Sequence, residues 1–137
     1  MSDLSWAATV RMVHERASFR CEYCQTAQRA IGQAMHVEHI DPNGGDEPEN
    51  LCLSCSSCNL SKARATSGLD PNTELVASLF NPRTQKWVEH FEWEQAGLLV
   101  HGLTPVGRAT VARLKMNLPR IVEARAVWIQ AGVHPPE

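Results

Sequence analysis

The stretch that decides the fold is MHVEHIDPNGGDEPENLCLSCSSCNLSK, residues 35–62. It opens with two histidines, His36 and His39, on either side of Glu38, and it ends in a CxxC pair and a short polar run. Ordinary cores avoid such a group of ionisable side chains, because their burial is costly unless they are paired or bound to a metal. The surrounding sequence has to explain why they are so close together.

Five cysteines place this stretch in a frame. Two CxxC pairs lie at Cys21 and Cys24 and at Cys55 and Cys58, and Cys52 is the fifth. In a chain without a recognisable secretion signal, two such pairs favour zinc over disulfide bonds. Each CxxC turn presents two thiolates to one ion, and two turns complete the tetrahedron that structural zinc prefers. We therefore predict a structural zinc ion on these four cysteines, and we expect Cys52 to be a small buried apolar residue.

Between the cysteine pairs, the pattern predicts a strand, a loop, a second strand and a helix. The segment AMHVEHI at 34–40 is short and bounded by a proline and a glycine-rich turn, which is typical of a strand. In ENLCLSC, residues 49–55, the alternation of the two leucines predicts the second strand. The run SSCNLSKARA at 56–65 has no helix breaker and predicts a short helix.

The flanking sequence predicts further elements of both types. In chain order these are a helix over 4–17 capped by Asp3, a strand within 75–80, a hairpin over 87–103 around Gly97, a helix from Thr104-Pro105, and a last helix starting near Asn117 and ending near Ala131. The predicted fold class is α+β. We expect one domain over 1–137, with a core at 21–64 and a C-terminal extension at 69–137.

The net charge of the chain is −2, and this value argues against nonspecific nucleic-acid binding over the whole surface. The charges are, however, distributed unevenly along the sequence. Residues 38–49 carry five acidic side chains and no lysine or arginine. Residues 104–125 carry five basic side chains against one glutamate. Both segments fit solvated faces, and they also fit an acidic loop that attracts a metal beside a basic flank for phosphates. No apolar run is long enough to span a membrane, and the first ten residues lack a signal-peptide pattern, so we expect a cytoplasmic protein.

The order His39, Asn50, Asn59 inside a CxxC…CxxC frame resembles the HNH endonuclease family, in its variant with asparagine at the third position. The matching segments are CEYC, HVEHIDPNGG and ENLCLSCSSCNLSK, which together run from Cys21 to Lys62. Two later segments, LFNPRTQKWVEHF and GLTPVGRATVARLKMN, look similar to sequences that follow the HNH core in a group of small bacterial HNH proteins.

The resemblance implies a ββα-metal fold, also called the His-Me finger, with one divalent ion at an active site that hydrolyses DNA. His39 matches the general base, and a histidine with a pKa near neutrality suits that role. Asn50 matches the residue that holds the loop and orients the base. Glu38 and Asn59 match the ligands of the ion, and oxygen ligands favour magnesium or manganese. The implied products are a 5′-phosphate and a 3′-hydroxyl.

Two features depart from the family pattern or add to it. The family more often has aspartate where this chain has Glu38, so the carboxylate reaches one carbon further. Strand alternation places His36 on the same face as Glu38. His36 is therefore a candidate for a further metal ligand, which would favour manganese, nickel or zinc, but we favour a role in which it contacts phosphate or orients a ligand.

Basic side chains near the motif are candidates for contacts with the DNA backbone: Lys62, Arg64, Arg108 and Arg113. An exposed helix face explains them nearly as well. The leading interpretation is a metal-dependent DNA endonuclease. The alternative is a zinc-stabilised nucleic-acid-binding module without cleavage activity, and a protein-interaction zinc fold is a third interpretation. The sequence leaves open the target, nicking against double-strand cleavage, and monomer against homodimer.

Overall fold

The computed structural model describes residues 5–136, which contain six α-helices, two short 3-10 helices and six strands. The helices are α1 (Trp6–Arg16), α2 (Gln28–Ile31), α3 (Ser56–Lys62), α4 (Trp87–His90), α5 (Pro105–Arg113) and α6 (Pro119–Gln130). The strands are β1 (His36–His39), β2 (Leu51–Ser54), β3 (Ser67–Leu69), β4 (Val76–Ser78), β5 (Phe91–Glu94) and β6 (Leu99–Gly102). They pair as three two-stranded antiparallel sheets, β1–β2, β3–β4 and β5–β6. The predicted α+β class is confirmed.

The strand, loop, strand and helix predicted between the cysteine pairs are present as β1, β2 and α3. The register of the sheet aligns His36 with Ser54 and His39 with Leu51. All four residues of β2 are buried, so this strand forms the inner side of the unit. Only Cys55 separates β2 from α3. Helix α3 ends at Lys62, whereas the predicted helix covers 56–65. The reason is that Ala63 has a φ of 50°, outside the helical region.

Helix α1 covers the β1–β2 hairpin from the N-terminal side. Its N-cap is Ser5, whose hydroxyl accepts a hydrogen bond from the helix backbone. The predicted cap Asp3 lies outside the described residues. Val13 is fully buried on the inner face, and Arg16 in the last turn donates a hydrogen bond of 2.7 Å to the carbonyl of Leu51. This contact ties α1 to the first residue of β2.

The predicted strand within 75–80 is present as β4, and its partner β3 was not predicted. Strand β3 has the sequence Ser-Gly-Leu, which is too short and too irregular to give an alternating pattern. It forms because it pairs with β4 and packs on α5. Tertiary contacts rather than local propensity therefore determine this strand.

The hairpin predicted over 87–103 is present only from Phe91 onward, as β5 and β6. The prediction was wrong for Trp87–His90, which form the short helix α4. The Trp87 ring stacks on Phe91, with ring centroids 5.2 Å apart, and its indole N–H donates to the carbonyl of Tyr23 at 2.8 Å. These contacts require a helical turn rather than an extended strand. The hairpin turns at Ala96 and Gly97, which have φ values of 58° and 106°.

The two C-terminal helices agree with the prediction except for the end of α5, which stops at Arg113 rather than near Asn117, and for the start of α6. Thr104 caps α5 through its hydroxyl, as predicted. Helix α6 starts at Pro119 because the Asn117 side chain pairs instead with the N–H and the carbonyl of Val100, at 2.9 and 2.8 Å. Arg125, predicted to belong to a basic flank, is 0% exposed and donates to the carbonyls of Leu98 and Met116.

The apolar core joins β1, β2 and α3, together called the ββα unit, to the C-terminal extension. It contains side chains from α1, from both cysteine turns, from β2 and from the segments after residue 78: Val13, Ala17, Cys21, Tyr23, Cys24, Met35, Leu51, Cys52, Leu53, Cys55, Cys58, Leu79, Phe80, Phe91, Val100, Leu114 and Met116. All five cysteines are therefore part of this core.

Candidate functional site

The four cysteines of the CxxC pairs form a compact cluster. The Sγ atoms of Cys21, Cys24, Cys55 and Cys58 all lie within 4.8 Å of one another, and those of Cys24 and Cys55 are 3.8 Å apart. Zinc–sulfur bonds of about 2.3 Å in a regular tetrahedron give sulfur–sulfur distances of about 3.8 Å. Within residues 5–136, this is the one group of three or more Cys, His, Asp and Glu side chains that could hold a metal. The cluster has the size and composition of a structural zinc site.

Backbone hydrogen bonds explain why each CxxC turn presents two sulfurs to the same point. The N–H of Cys24 donates to the sulfur of Cys21, and the N–H of Cys58 donates to that of Cys55, both at 3.4 Å. A thiolate accepts such bonds better than a thiol does, so the turns suit deprotonated, metal-bound cysteines. The Thr26 hydroxyl also lies 3.2 Å from the Cys24 sulfur.

Glu38 points into the protein rather than into solvent. It is 8% exposed, and its Oε1 lies 3.5 Å from the Nζ of Lys62 on α3. Its Oε2 lies 3.7 Å from the sulfur of Cys52. Cys52 in turn lies 3.5 Å from the Tyr23 hydroxyl, so a buried network surrounds the carboxylate. Within residues 5–136, Glu38 Oε1 accepts no hydrogen bond, although it is fully enclosed.

The pKa shifts in this network have a common cause. Burial raises the pKa of Glu38, and the charge of Lys62 is the largest effect that opposes the rise. Burial also raises the pKa of the Cys52 thiol and of the Tyr23 phenol, and the Glu38 charge adds to both. Tyr23 and Cys52 therefore stay protonated at neutral pH. Because the folded-state pKa of Glu38 is raised, its contribution to stability is present below its ordinary pKa and declines as the pH rises through the folded value.

Substitution of Lys62 by methionine tests this buried pair. The change removes the ammonium and keeps most of the side-chain volume, so Glu38 would be left buried without a counter-ion. We expect a loss of about 3–5 kcal/mol in the free energy of unfolding at neutral pH, measured by urea denaturation. A second substitution, Glu38→Gln, should recover part of that loss in the double variant. A single variant that stays within about 1 kcal/mol of the parent would contradict this assignment of the pair.

Helix α3 contacts both ends of β1 through the face that also carries Asn59. Ser56, Asn59 and Lys62 are three residues apart and therefore lie on the same face of the helix. The Ser56 hydroxyl lies 3.2 Å from Nε2 of His36, at one end of β1, and Lys62 contacts Glu38 near the other. Asn59 lies between these two contacts. His36 is exposed, and strand alternation places it on the same face as Glu38.

His39 lies at the end of β1 and is bonded to the loop that follows. Its Nε2 is 2.6 Å from Oδ1 of Asp46, and the two side chains are 39% and 73% exposed. Asp46 was not predicted as a site residue. The sequence offers little signal for it, because an aspartate in a glycine-rich acidic loop is usually solvated.

Asn50 holds this loop closed through its side-chain amide. Its Oδ1 accepts the N–H of Asp41, and its Nδ2 donates to the carbonyls of Asp41 and Gly45, each at 2.9 Å. Gly44 leaves room for the amide, because a Cβ there would lie 2.6 Å from the Asn50 Nδ2. One side chain therefore fixes both ends of the turn that follows β1.

Asn50→Ala is expected to loosen this loop without unfolding the protein. The variant loses three hydrogen bonds, whose net contribution at a partly exposed site is about 1–3 kcal/mol together. Thermal denaturation measures the loss, and hydrogen exchange should show faster exchange at the Asp41 and Gly44 amides. Asn50→Asp serves as the matched control, because it keeps the Oδ1 acceptor and removes the two N–H donors. Its loss of stability should be smaller than that of the alanine variant, apart from any charge repulsion between the new carboxylate and Asp41. Unchanged hydrogen exchange at these amides in the alanine variant would refute the role of Asn50 in holding the loop closed.

The predicted phosphate contacts differ in how accessible they are. Lys62 is 1% exposed and serves as the counter-ion of Glu38, with a further hydrogen bond of 3.0 Å to the carbonyl of Ile40. Arg108 forms a two-fold hydrogen bond with Asp70, both at 2.9 Å, and this pairing lowers the pKa of Asp70. Neither side chain is directed to solvent as a free cation.

Two of the four predicted contacts are exposed. Arg64 and Arg113 both lie near the C-terminal end of α3. Arg64 donates to the Asn43 side chain at 3.2 Å, and Arg113 donates to the carbonyl of Lys62 at 3.4 Å. Both contacts are long single hydrogen bonds to neutral groups, so both guanidinium groups are able to exchange them for an anionic ligand.

Comparison with protein families matches residues 21–64 to the family model described as HNH endonuclease. Comparison with curated proteins and with solved structures gives no match. The matched segment begins at the first cysteine and ends just after α3, so it contains the cysteine cluster and the whole ββα unit.

The longest helix within residues 5–136 has 12 residues, so no helix of the described chain could cross a membrane.

Proposed function

Because residues 21–64 match the HNH endonuclease family, we propose that this protein is a metal-dependent endonuclease that hydrolyses phosphodiester bonds in DNA. The observation that supports this most directly is the arrangement of β1 against α3. Glu38 and His39 are consecutive at the end of β1, and Asn59 is on the face of α3 that contacts the same strand. An acid, a base and an amide thus belong to two adjoining elements, and Cys55 and Cys58 of the cysteine cluster lie at the start of one of them, α3.

The residues present fit a divalent ion, which we assign to Glu38 and Asn59. Oε1 of Glu38 is enclosed and accepts no hydrogen bond, although the Lys62 ammonium lies 3.5 Å away, so a bound cation that displaced this ammonium would satisfy the oxygen. Carboxylate and amide oxygens together are ligands that suit magnesium or manganese. His36 is exposed at the start of the same strand face, and as a ligand it would shift the preference to manganese, nickel or zinc. When bound, the ion supplies positive charge that offsets the charge of the phosphate and of the leaving 3′ oxygen.

In this proposal, the protein's own side chains provide the proton chemistry and the geometry. His39 accepts a proton from the attacking water, and its partly exposed ring leaves one edge accessible to solvent and substrate. Asn50 acts through the loop, by fixing the backbone from Asp41 to Gly45. The charge of Lys62 favours the ionised form of Glu38 and so opposes burial, which raises the pKa of this carboxyl. Cleavage would leave a 5′-phosphate and a 3′-hydroxyl.

A nucleic-acid-binding module without cleavage is the second candidate, and one observation favours it. The carboxylate of Glu38 already has an internal counter-ion in Lys62, at 3.5 Å. A metal ion has to compete with that ammonium for the carboxylate. If the metal ion fails to bind, the protein would keep its fold and its DNA-binding surface but would not cleave DNA. The two candidates differ in a single measurable property, which is metal-dependent strand scission.

Incubation of the purified protein with supercoiled plasmid tests the choice directly. We expect conversion to the open-circular form with magnesium, manganese or nickel added in separate reactions, and no conversion after dialysis against a mild chelator that leaves the cysteine-bound ion in place. A protein with one active site nicks rather than linearises the plasmid, unless it acts as a dimer. Binding of the plasmid without nicking under every metal condition would favour the second candidate.

We further propose Arg64 and Arg113 as contacts to the DNA backbone beside the cleaved bond. The double variant Arg64→Ala/Arg113→Ala should bind duplex DNA more weakly at every sequence. The slope of log affinity against log salt should become less negative by about 1.8, because each lost phosphate contact removes about 0.9. Arg120→Ala, an exposed arginine on α6, is the matched control. Equal slopes for the parent and the double variant would remove these two residues from the interface.

A further inference from the structure

The contact between His39 and Asp46 carries an inference that depends on the proposed function and goes beyond it. The distance from Nε2 to Oδ1 is 2.6 Å, which is short for a nitrogen–oxygen hydrogen bond and typical of a charged acceptor. We propose that Asp46 is a positioning residue that fixes the orientation and the tautomer of His39, so that Nδ1 is the atom that accepts the proton from water.

The chemistry of the two groups determines which nitrogen is free. An ionised carboxylate can only accept hydrogen bonds, so the ring nitrogen that faces Asp46 must carry a proton. In the neutral imidazole, the other nitrogen then holds the lone pair. Nε2 is therefore the donor and Nδ1 is the basic atom. Without Asp46, both tautomers of the ring are available, and the ring can rotate about its side-chain torsions.

The loop that carries Asp46 is built to hold it at this position. Asn50 Nδ2 donates to the carbonyl of Gly45, the residue directly before Asp46. The N–H of Ile40, the residue directly after His39, donates to the carbonyl of Asn50 at 2.8 Å. The same asparagine therefore fixes the backbone next to both partners. An exposed aspartate on a free loop would lose more conformational entropy in making this contact.

The other acidic side chains of the loop have different surroundings, which makes the contact selective. Asp41 uses its Oδ1 to accept the N–H of Asn43. Glu47 is exposed and directly follows Asp46, so it carries the same charge one residue away. It provides a control that separates the geometry of the hydrogen bond from the negative charge of the loop.

The test compares Asp46→Ala with Glu47→Gln in the plasmid assay under steady-state conditions. We expect Asp46→Ala to lower kcat by about 10–100-fold, as is usual when the partner that orients a functional histidine is removed. KM for DNA should stay the same or fall, because the variant removes a negative charge. Glu47→Gln should keep kcat within about two-fold of the parent. A charge effect alone predicts the opposite, since both variants would then bind DNA better and cut at least as fast.

A second measurement reads the tautomer itself and does not require activity. Long-range ¹H–¹⁵N correlation spectra at a pH where the ring is neutral should show His39 protonated at Nε2 in the parent and a mixture of tautomers in Asp46→Ala. Asp46→Asn should show the mixture as well, or the reverse tautomer if its amide donates to the ring. Identical tautomers in the parent and both variants, or an unchanged kcat in Asp46→Ala, would overturn the proposal. A parent that cuts no DNA but shows the expected tautomers would overturn the proposed function and leave the positioning contact supported.

Discussion

Replacing His39 with alanine is expected to abolish measurable nicking while the folded protein remains intact. A side chain that takes a proton in the transition state contributes about 10²–10⁴-fold to the rate, so kcat should fall by that factor. The ring is 39% exposed, and the hydrogen bond that it loses joins it to an Asp46 side chain that is 73% exposed. Loss of such a surface contact costs at most about 1 kcal/mol. The effect should therefore be confined to the chemical step.

Zinc content, melting temperature and DNA affinity of the variant separate this outcome from unfolding. All three should match those of the parent, and His101→Ala provides a matched control. His101 lies on β6, is similarly exposed at 46%, and also contacts a carboxylate, that of Glu94 at 3.3 Å. It should keep full activity. If His39→Ala nicked plasmid at the rate of the parent, another group would have to be the base.

The parts of the fold that the sequence predicts correctly are those set by local and covalent constraints. Two CxxC pairs have to bring their sulfurs together if they bind one metal, and Cys24 and Cys55 are indeed 3.8 Å apart. With the ends of the intervening segment fixed in this way, a short strand, a turn and a second strand are nearly the only arrangement that its length and alternation allow. Confirmation of β1, β2 and α3 follows from that constraint.

The burial of basic side chains could not be read from the sequence. Lys62 and Arg64 are two residues apart at the end of one helix and look equivalent, yet Lys62 is 1% exposed and Arg64 is exposed. Which of them turns inward depends on the position of Glu38, which belongs to another element. Arg108 similarly finds Asp70, 38 residues away. Charge partners that are distant in sequence leave no periodic signal.

The role of the loop between β1 and β2 was only partly predictable. Its glycine-rich turn is evident, and the resemblance points to Asn50 as the residue that holds it. The partner of His39 is not evident, because several acidic residues in the loop are chemically equivalent until the backbone is fixed. The geometry selects Asp46, since Asn50 anchors the residue before it. Single hydrogen bonds that depend on a turn of this kind have to be seen in the structure.

Cys24→Ser is expected to have the largest effect on stability of any substitution discussed. A structural zinc ion contributes on the order of 10 kcal/mol in small domains, which is comparable with the whole free energy of unfolding of a typical domain. The four sulfurs are buried inside the core, so without metal a charged or unsatisfied cluster would remain there. The variant should retain less than about one tenth of an equivalent of zinc and lose its cooperative thermal transition, or unfold at a much lower temperature.

Cys52→Ser is the matched control, because it makes the same chemical change in the same core. Cys52 is also fully buried, but its sulfur faces Tyr23 and Glu38, outside the cluster of four. A serine hydroxyl can replace its hydrogen bonds, so we expect one equivalent of zinc and a melting temperature within several degrees of the parent. Elemental analysis and thermal denaturation distinguish the two variants. The structural role of the cysteine-bound zinc would be refuted if both variants lost zinc equally, or if Cys24→Ser melted like the parent.

If zinc has this structural role, Cys24→Ser should also lose nicking activity, because Cys55 is the N-cap of α3 and its release frees the helix that carries Asn59. His39→Ala leaves that helix in place, so the pair of variants separates loss of the scaffold from loss of the base.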